Sequence, residues 1–290
     1  MMPDNSNTEI ASLLRLIDDP DETVHSAVMD RLRALCPQVI PDLTQALSGL
    51  SSDRARGEIL DVIHAHQRTN LDRLSALIKQ SLLSTQDLVL EEAVTLINGF
   101  GRPTEDSQSL VRYLDGLALR VHEVFITKTP ANDLTHVMAL QTVLYEEEGF
   151  TGAKEDYYAP ASSYLTSVID QRSGIPVSLA AIELMIADRV GLDLRGVAMP
   201  FHFLLYVPEL GLYLDPVQHG TFVSRDDCIR FVQRSGLTFD QRMLDPVRNV
   251  DIVLRMLRNL ALAHERYGEV WEAQSISQVL RDLGPQMPHH

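Results

Sequence analysis

Cysteine is scarce in this sequence: Cys36 and Cys228 are its only two, far apart and outside any C-x-x-C spacing. That excludes a disulfide framework and a thiolate zinc site. Positive charge is also in short supply, with 25 Lys and Arg against 40 Asp and Glu for a net charge of −15. No basic run gathers anywhere, so the chain lacks the electrostatic footprint that nucleic acid or an anionic membrane surface attracts, and neither is an expected partner. A long apolar run is missing too. The uncharged stretch around the apolar centre, residues 196–208, falls short of the roughly 18–20 residues that cross a bilayer. The opening Met-Met-Pro-Asp-Asn-Ser-Asn has neither a basic nor an apolar segment, so nothing in it marks the chain for secretion, and a cytoplasmic protein is expected. What is present is ordinary for a globular chain: 45% hydrophobic, 22% charged and 6% aromatic residues, with 15 Gly and 14 Pro, which excludes collagenous and disordered classes. A length of 290 residues favours more than one domain.

Apolar residues recur at helical spacing in short segments through residues 8–82: Ile10, Leu13, Leu14 and Ile17, then Val24, Ala27, Val28, Leu32 and Leu35. Each segment ends at a breaker. Asp18-Asp19-Pro20-Asp21 predicts a turn, Pro37 and Pro41 bracket another, and Ser51-Ser52-Asp53 and Thr69-Asn70 are placed to cap following helices. The stretch 13–24 resembles a HEAT-like repeat, whose units bury their faces by stacking. Helical spacing continues over 87–99, 106–125 and 132–148, where Gly149 is placed to close the helix. A Tyr-rich loop, 154–163, leads to a short helix over 164–171. Pro176 then suits the first turn of a helix with apolar face Leu179, Ala180, Leu184, Ala187 and Val190, stopped by Gly191. Strands are predicted over 195–199, 202–207 and 211–215. Ser224 and Asp227 form a capping box for a helix closed by Gly236. Two amphipathic helices over 251–283 turn near Tyr267-Gly268 and resemble a tetratricopeptide-type hairpin, with Trp271 expected in a helix interface.

The strand pair supports one geometric inference. A hairpin closing symmetrically around Glu209 and Leu210 pairs Val207 with Leu212 and Leu204 with Asp215. His202 then shares the face of Asp215 as its diagonal neighbour, at a spacing of about 7–8 Å that long side chains bridge. A bulge of one residue would put the two on opposite faces.

Several short motifs agree in order with a known family: Leu144-Tyr145-Glu146-Glu147-Glu148-Gly149-Phe150, Asp156-Tyr157-Tyr158-Ala159-Pro160, Ser163-Tyr164-Leu165, Arg172-Ser173-Gly174-Ile175-Pro176-Val177-Ser178-Leu179, Gly191-Leu192, Arg195-Gly196-Val197, Pro200-Phe201-His202-Phe203 and Asp215-Pro216. Over about residues 87–248 the chain resembles the SirB-type transglutaminase-like family. The resemblance implies an α+β fold, mainly α-helical: a HEAT-like region over 1–82, a papain-like core with a small antiparallel sheet over 83–249, and tetratricopeptide-like helices over 250–290. In active members a Cys at the start of the central helix attacks an amide, a strand His is its base and an Asp orients the His. His202 and Asp215 match the last two roles. Pro176 falls on the Cys position when Gly174-x-Pro176-x-x-x-Ala180 is matched, and proline offers no nucleophile. Ser162 stands where the family has Asn, and Phe201 where it has Gly, so the Phe201 ring is expected to block or reshape the cleft. A link to regulation of gene expression is also implied, indirectly through a protein partner.

Each feature has a plain alternative. Ser178 is a weak nucleophile candidate, because two helix positions rotate a side chain about 200° away from the Pro176 face. His202 and Asp215 are either a catalytic remnant or a polar pair pinning the hairpin. Tyr157 and Tyr158 either line a peptide groove or pack their loop. Cys228 reads as a small core residue. Asp215 and His219 have no third ligand nearby in sequence, so neither metal nor cofactor is expected. Glu146-Glu147-Glu148 reads as a solvated helix end. His289 and His290 look like the start of an affinity tag. Two functions stay open. One is a non-catalytic interaction or regulatory protein that binds a protein or peptide through its cleft or helices. The other is a hydrolase or acyl-transferase acting on peptide or isopeptide amides, with Nε2 of His202 facing Ser178 or a bound water.

Overall fold

The computed structural model describes residues 5–50, 52–154 and 157–284, so Asp156 and the terminal pair His289 and His290 lie outside the described residues. The chain opens with α1 (Asn5–Arg15), α2 (Glu22–Ala34), α3 (Ile40–Ala46) and α4 (Asp53–Leu83). Local chemistry sets their starts. Asp21 accepts the Thr23 and Val24 N–H groups at the head of α2, and the Ser52 hydroxyl accepts that of Ala55 at the head of α4. Thr69 and Asn70, predicted to begin a separate helix, lie inside α4. The Thr69 hydroxyl donates back to the Ala65 carbonyl, and the Asn70 amide donates across to the Gly99 carbonyl of α5 (Leu90–Gly101). Their polar groups are satisfied without a break, so α4 runs for 31 residues.

That length lets α4 serve two cores. Ala55, Ile59, Val62 and Ile63 pack with Ile17, Leu32, Ile40 and Leu43, whereas Leu71, Leu74 and Ile78 enter a second, larger cluster. The larger cluster runs from Leu71 to Leu283 and does not break at residue 83 or 250. The seam between cores therefore falls partway along α4.

The helices expected from residues 106 and 132 form as α6 (Ser107–Ile126) and α7 (Asp133–Gln141), and Asp106 and Asn132 turn out to be their N-caps. The helix predicted to continue to residue 148 instead widens into a π-helical turn, Thr142–Glu147, before Gly149 closes it at φ +75°. Such turns insert one extra residue and re-aim the side chains they carry. Here they re-aim Glu148, which is not the solvated helix end the sequence suggests. Glu148 accepts from the Tyr113 hydroxyl at 2.7 Å, Arg172 at 2.6 Å and Arg120. Burial opposes its ionisation, but these donors outweigh burial and hold the carboxyl below its ordinary range.

The core element is α9 (Pro176–Val190), whose residues from Val177 to Ala187 are apolar except Ser178 and Glu183. A helix apolar on every side must be enclosed. It is surrounded by α5, α6, α8 (Leu165–Gln171) and α11 (Asn249–Tyr267) and by a sheet. Two short parallel strands, β1 (Thr151–Gly152) and β2 (Ser173–Gly174), lead into it. The sheet has β3 (Arg195–Val197), β4 (Leu204–Val207), β5 (Leu212–Asp215) and β6 (Thr221–Val223) antiparallel in chain order. β6 has no counterpart in the sequence reading, because three residues carry no period of their own. Ser224 and Asp227 form the expected capping box of α10 (Arg225–Arg234). α11 and α12 (Val270–Asp282) form the predicted hairpin, with Gly268 in the left-handed conformation between them. Trp271 stacks on His64 of α4 with ring centroids 3.8 Å apart. The protein is thus α+β and mainly α-helical.

One close approach ties the last helices to the centre. The Tyr164 hydroxyl meets Nε2 of the buried His264 at 2.7 Å, and Nδ1 of His264 meets Glu269. Gly101 makes room for the Tyr164 ring: a Cβ built there would lie 1.9 Å from Cζ. Gly101→Ala is expected to displace that ring, break the buried bond and cost about 3 kcal/mol in urea unfolding. A loss under about 0.5 kcal/mol would show that the contact is dispensable.

Candidate functional site

The β4–β5 register is Leu205 with Leu214, Tyr206 with Tyr213 and Val207 with Leu212, the symmetric closure inferred from the sequence. No bulge intervenes in it. His202 and Asp215 accordingly meet, with Nε2 at 2.9 Å from Oδ2. Asp215 ends β5 and also starts a 3-10 turn, Pro216–Gln218. Its Oδ1 accepts the Val217 and Gln218 N–H groups, and its Oδ2 accepts the Gln218 side-chain amide at 2.9 Å. Burial opposes the charge on Asp215, yet the His202 contact, Val217 N–H and Gln218 amide outweigh it and hold the carboxyl below its ordinary range.

Because Nε2 is taken by Asp215, it is not the atom that faces a nucleophile. Nδ1, which makes no hydrogen bond among the described residues, is the nitrogen left for any further partner. This reverses the ring orientation expected from the sequence.

His202 is presented by a turn rather than by a strand. Its N–H donates to the Met199 carbonyl at 3.2 Å, Pro200 is the second residue and Phe201 the third, at φ +60°. That is the pattern of a type II turn, whose third position favours Gly. The Gly that the resemblance implies at this position would have a backbone cause, and Phe201 occupies the position at a cost of about 1–2 kcal/mol. Its side chain does not pack inward, as the blocked cleft would require; the residue is 73% exposed. Arg255 of α11 donates to the same Met199 carbonyl at 3.0 Å and so braces the turn. The Phe231 ring of α10 lies 5.5 Å from the His202 ring.

Pro176 is the first residue of α9 and is buried. Ser178 is 0% exposed, and its hydroxyl donates to the Ser163 carbonyl at 3.2 Å. No hydrogen bond joins it to His202. Tyr157 and Tyr158 meet edge to face at 5.1 Å, both exposed on one side, and the Arg266 guanidinium lies 3.6 Å above the Tyr158 ring. Cys228 is buried in a small cluster with Val197, Leu204 and Tyr213, and burial pushes its thiol up to about 11. No group of His, Cys, Asp and Glu among the described residues is arranged to hold a metal ion, and no helix among them is long and apolar enough to cross a membrane. A cleft of about 830 Å³ opens toward the other end of α9, lined by Leu184, Asp188 and Leu192 among others, and shares no residue with the His202 turn.

One member of the site is missing from the sequence reading. Glu183 is 1% exposed on α9. It accepts the Tyr145 hydroxyl at Oε1, while Oε2 is buried with no partner among the described residues. Burial, opposed by the Tyr145 bond and reinforced by the negative charge of Asp215, raises the carboxyl from 4.5 to about 8. A lone acid between Val177 and Ala187 was the available signal, since no face of that segment could reach water.

The sign of its pH effect follows. Between about 4.5 and 8 the folded protein keeps a proton on Glu183 that the unfolded chain has lost, so this contribution to stability is complete below 4.5 and fades as pH rises through 8. Asp215 acts oppositely, and its contribution is lost only as pH falls through its lowered value. Glu183→Gln is expected to remove the first slope: its melting temperature relative to the parent should rise by several degrees from pH 5 to pH 9. Parallel pH profiles for the two proteins would contradict a buried neutral carboxyl.

Sequence comparison relates this region to known proteins. The profile of the Transglutaminase-like superfamily matches residues 108–258, slightly more than half of the chain. A UPF0162 protein of Xylella fastidiosa (strain 9a5c) is 33% identical over 162 residues, covering 52% of this chain and 56% of the relative. A UPF0162 protein of Pseudomonas aeruginosa is 27% identical over 206 residues, 70% of this chain and 75% of the relative. F-box only protein 21 of Homo sapiens is 40% identical over 67 residues, which is 23% of this chain and 11% of that protein. The match thus spans about half the length of the Xylella relative. No solved structure matches. With a central helix enclosed beside an antiparallel sheet, a His-Asp pair at the sheet's end and a profile match over that region, the chain belongs to the transglutaminase-like superfamily.

Proposed function

We propose that this protein is a non-catalytic interaction or regulatory protein built on a transglutaminase-like core. The observation that carries the reading is Pro176 at the first position of α9, where the SirB-type resemblance puts the nucleophilic Cys. The nearest hydroxyl along that helix, Ser178, is sealed in the core and occupied by a carbonyl. In this reading His202 and Asp215 hold the sheet's end and its turn in place, and the helical flanks, HEAT-like before the core and tetratricopeptide-like after it, offer surfaces to a protein partner in the cytoplasm. A role in regulating gene expression would run through that partner.

A second reading is favoured by one observation, the unoccupied Nδ1 of His202 beside an intact Asp215 contact. In it Nδ1 takes a proton from a bound water, Asp215 steadies the resulting imidazolium, the hydroxide adds to the carbonyl carbon of a peptide or isopeptide amide, and the C–N bond breaks as the imidazolium returns its proton to the leaving amine. One experiment separates the two. The full chain and His202→Ala are incubated with peptide and isopeptide amides, and released amine is measured. The proposal expects equal, background release from both proteins. Release by the parent that falls 100-fold or more in His202→Ala would overturn it and establish the hydrolase.

A further inference from the structure

Among the described residues, Arg255 is an arginine without an acid in a chain that has acids to spare. Arg120, Arg172 and Arg189 all meet carboxylates. Among the described residues none approaches Arg255, whose single hydrogen bond is the one to the Met199 carbonyl. The charged or titratable groups that act on it are Tyr157 and Arg258, from the facing loop and its own helix, and burial pulls it below the ordinary arginine value. Its guanidinium lies 6.0 Å from the Phe203 ring. A guanidinium half withdrawn from water with most of its five N–H donors unmatched is unfavourable until a planar acceptor arrives, and a carboxylate is the acceptor it fits.

The same turn carries an apolar feature with no use inside the fold. Phe201 holds an exposed ring on a backbone that disfavours any side chain. Strained positions persist where the surroundings enforce them, and they gather at ligand-binding sites.

We propose that the Met199–His202 turn, with Arg255, binds a peptide segment of a partner protein that presents a carboxylate beside an apolar side chain. The guanidinium takes the carboxylate in a two-bond fork, and Phe201 lies against the apolar neighbour. This rests on the interaction-protein reading and adds to its helical flanks a binding surface at the His202 turn, with the chemistry of what binds there.

The test is a titration of the ¹⁵N-labelled full chain with acetyl-Leu-Glu-Leu-amide, acetyl-Leu-Gln-Leu-amide and acetate, following the Arg255 Nε–Hε and His202 amide resonances. The Glu peptide is expected to move both signals and to bind about tenfold more tightly than the Gln peptide, with acetate weaker than either. Arg255→Gln should abolish the preference. Because that change also removes a brace of the turn, Phe201→Gly provides a second arm: the turn accepts Gly, so the protein should melt higher while binding both peptides several-fold more weakly. Equal affinity for the two peptides, acetate binding as tightly as the Glu peptide, or unchanged binding by Phe201→Gly would each overturn the proposal. Cleavage of the Glu peptide that depends on His202 would overturn the non-catalytic reading and leave the recognition standing. Absence of binding together with absence of cleavage would overturn the recognition alone.

Discussion

The fold depends on enclosing a helix that has no polar face. From Val177 to Ala187 α9 offers water almost nothing, and burying each of its larger apolar side chains is worth roughly 1.5–3 kcal/mol. Helices α5, α6, α8 and α11 and the sheet all rest on it. The sheet edge, the 3-10 turn and the π-helical turn take their positions from that enclosure, and the His202 turn joins the end of β3 to the start of β4 beside the end of β5. A remnant active-site layout can survive on such a scaffold without selection for chemistry, because the contacts that place His and Asp are the contacts that close the core.

The same enclosure sets two carboxyls against each other. Asp215 stays ionised since His202, Gln218 and a backbone N–H outweigh its burial, whereas Glu183 has one hydroxyl donor and a negative neighbour, and takes up a proton. Burial alone decides neither; the number of donors does. The neutral Glu183 spares α9 an isolated charge at its centre, which no cation among the described residues stands ready to balance.

What was legible in the sequence was local or symmetric. Ser52, Ser224, Gly149, Gly191 and Gly268 each act through a turn of chain and stand where spacing puts them. The hairpin register was legible because a symmetric closure fixes every pair at once, and with it the His202–Asp215 contact. What was hidden depends on distant partners. Glu148 is bound by Arg120 and Tyr113, and Tyr145 finds Glu183, 38 positions away, through a π-helical turn that leaves no mark on apolar spacing. Thr69-Asn70 has the composition of a cap, but Gly99 supplies the carbonyl that keeps Asn70 within the helix. The exposed Phe201 follows from a conformational requirement of the turn, which a residue name alone does not reveal.

The long helix α4 couples parts that the chain order separates. A straight helix of its length is a rod of about 46 Å, with one half in each apolar cluster. Melting of the first three helices cannot stop at a domain boundary, since the hydrogen bonds of α4 pass through it without interruption. The smaller cluster therefore draws part of its cooperativity from the larger one, and any molecule that grips α1–α3 acts, through this shared rod, on the cluster that carries α9.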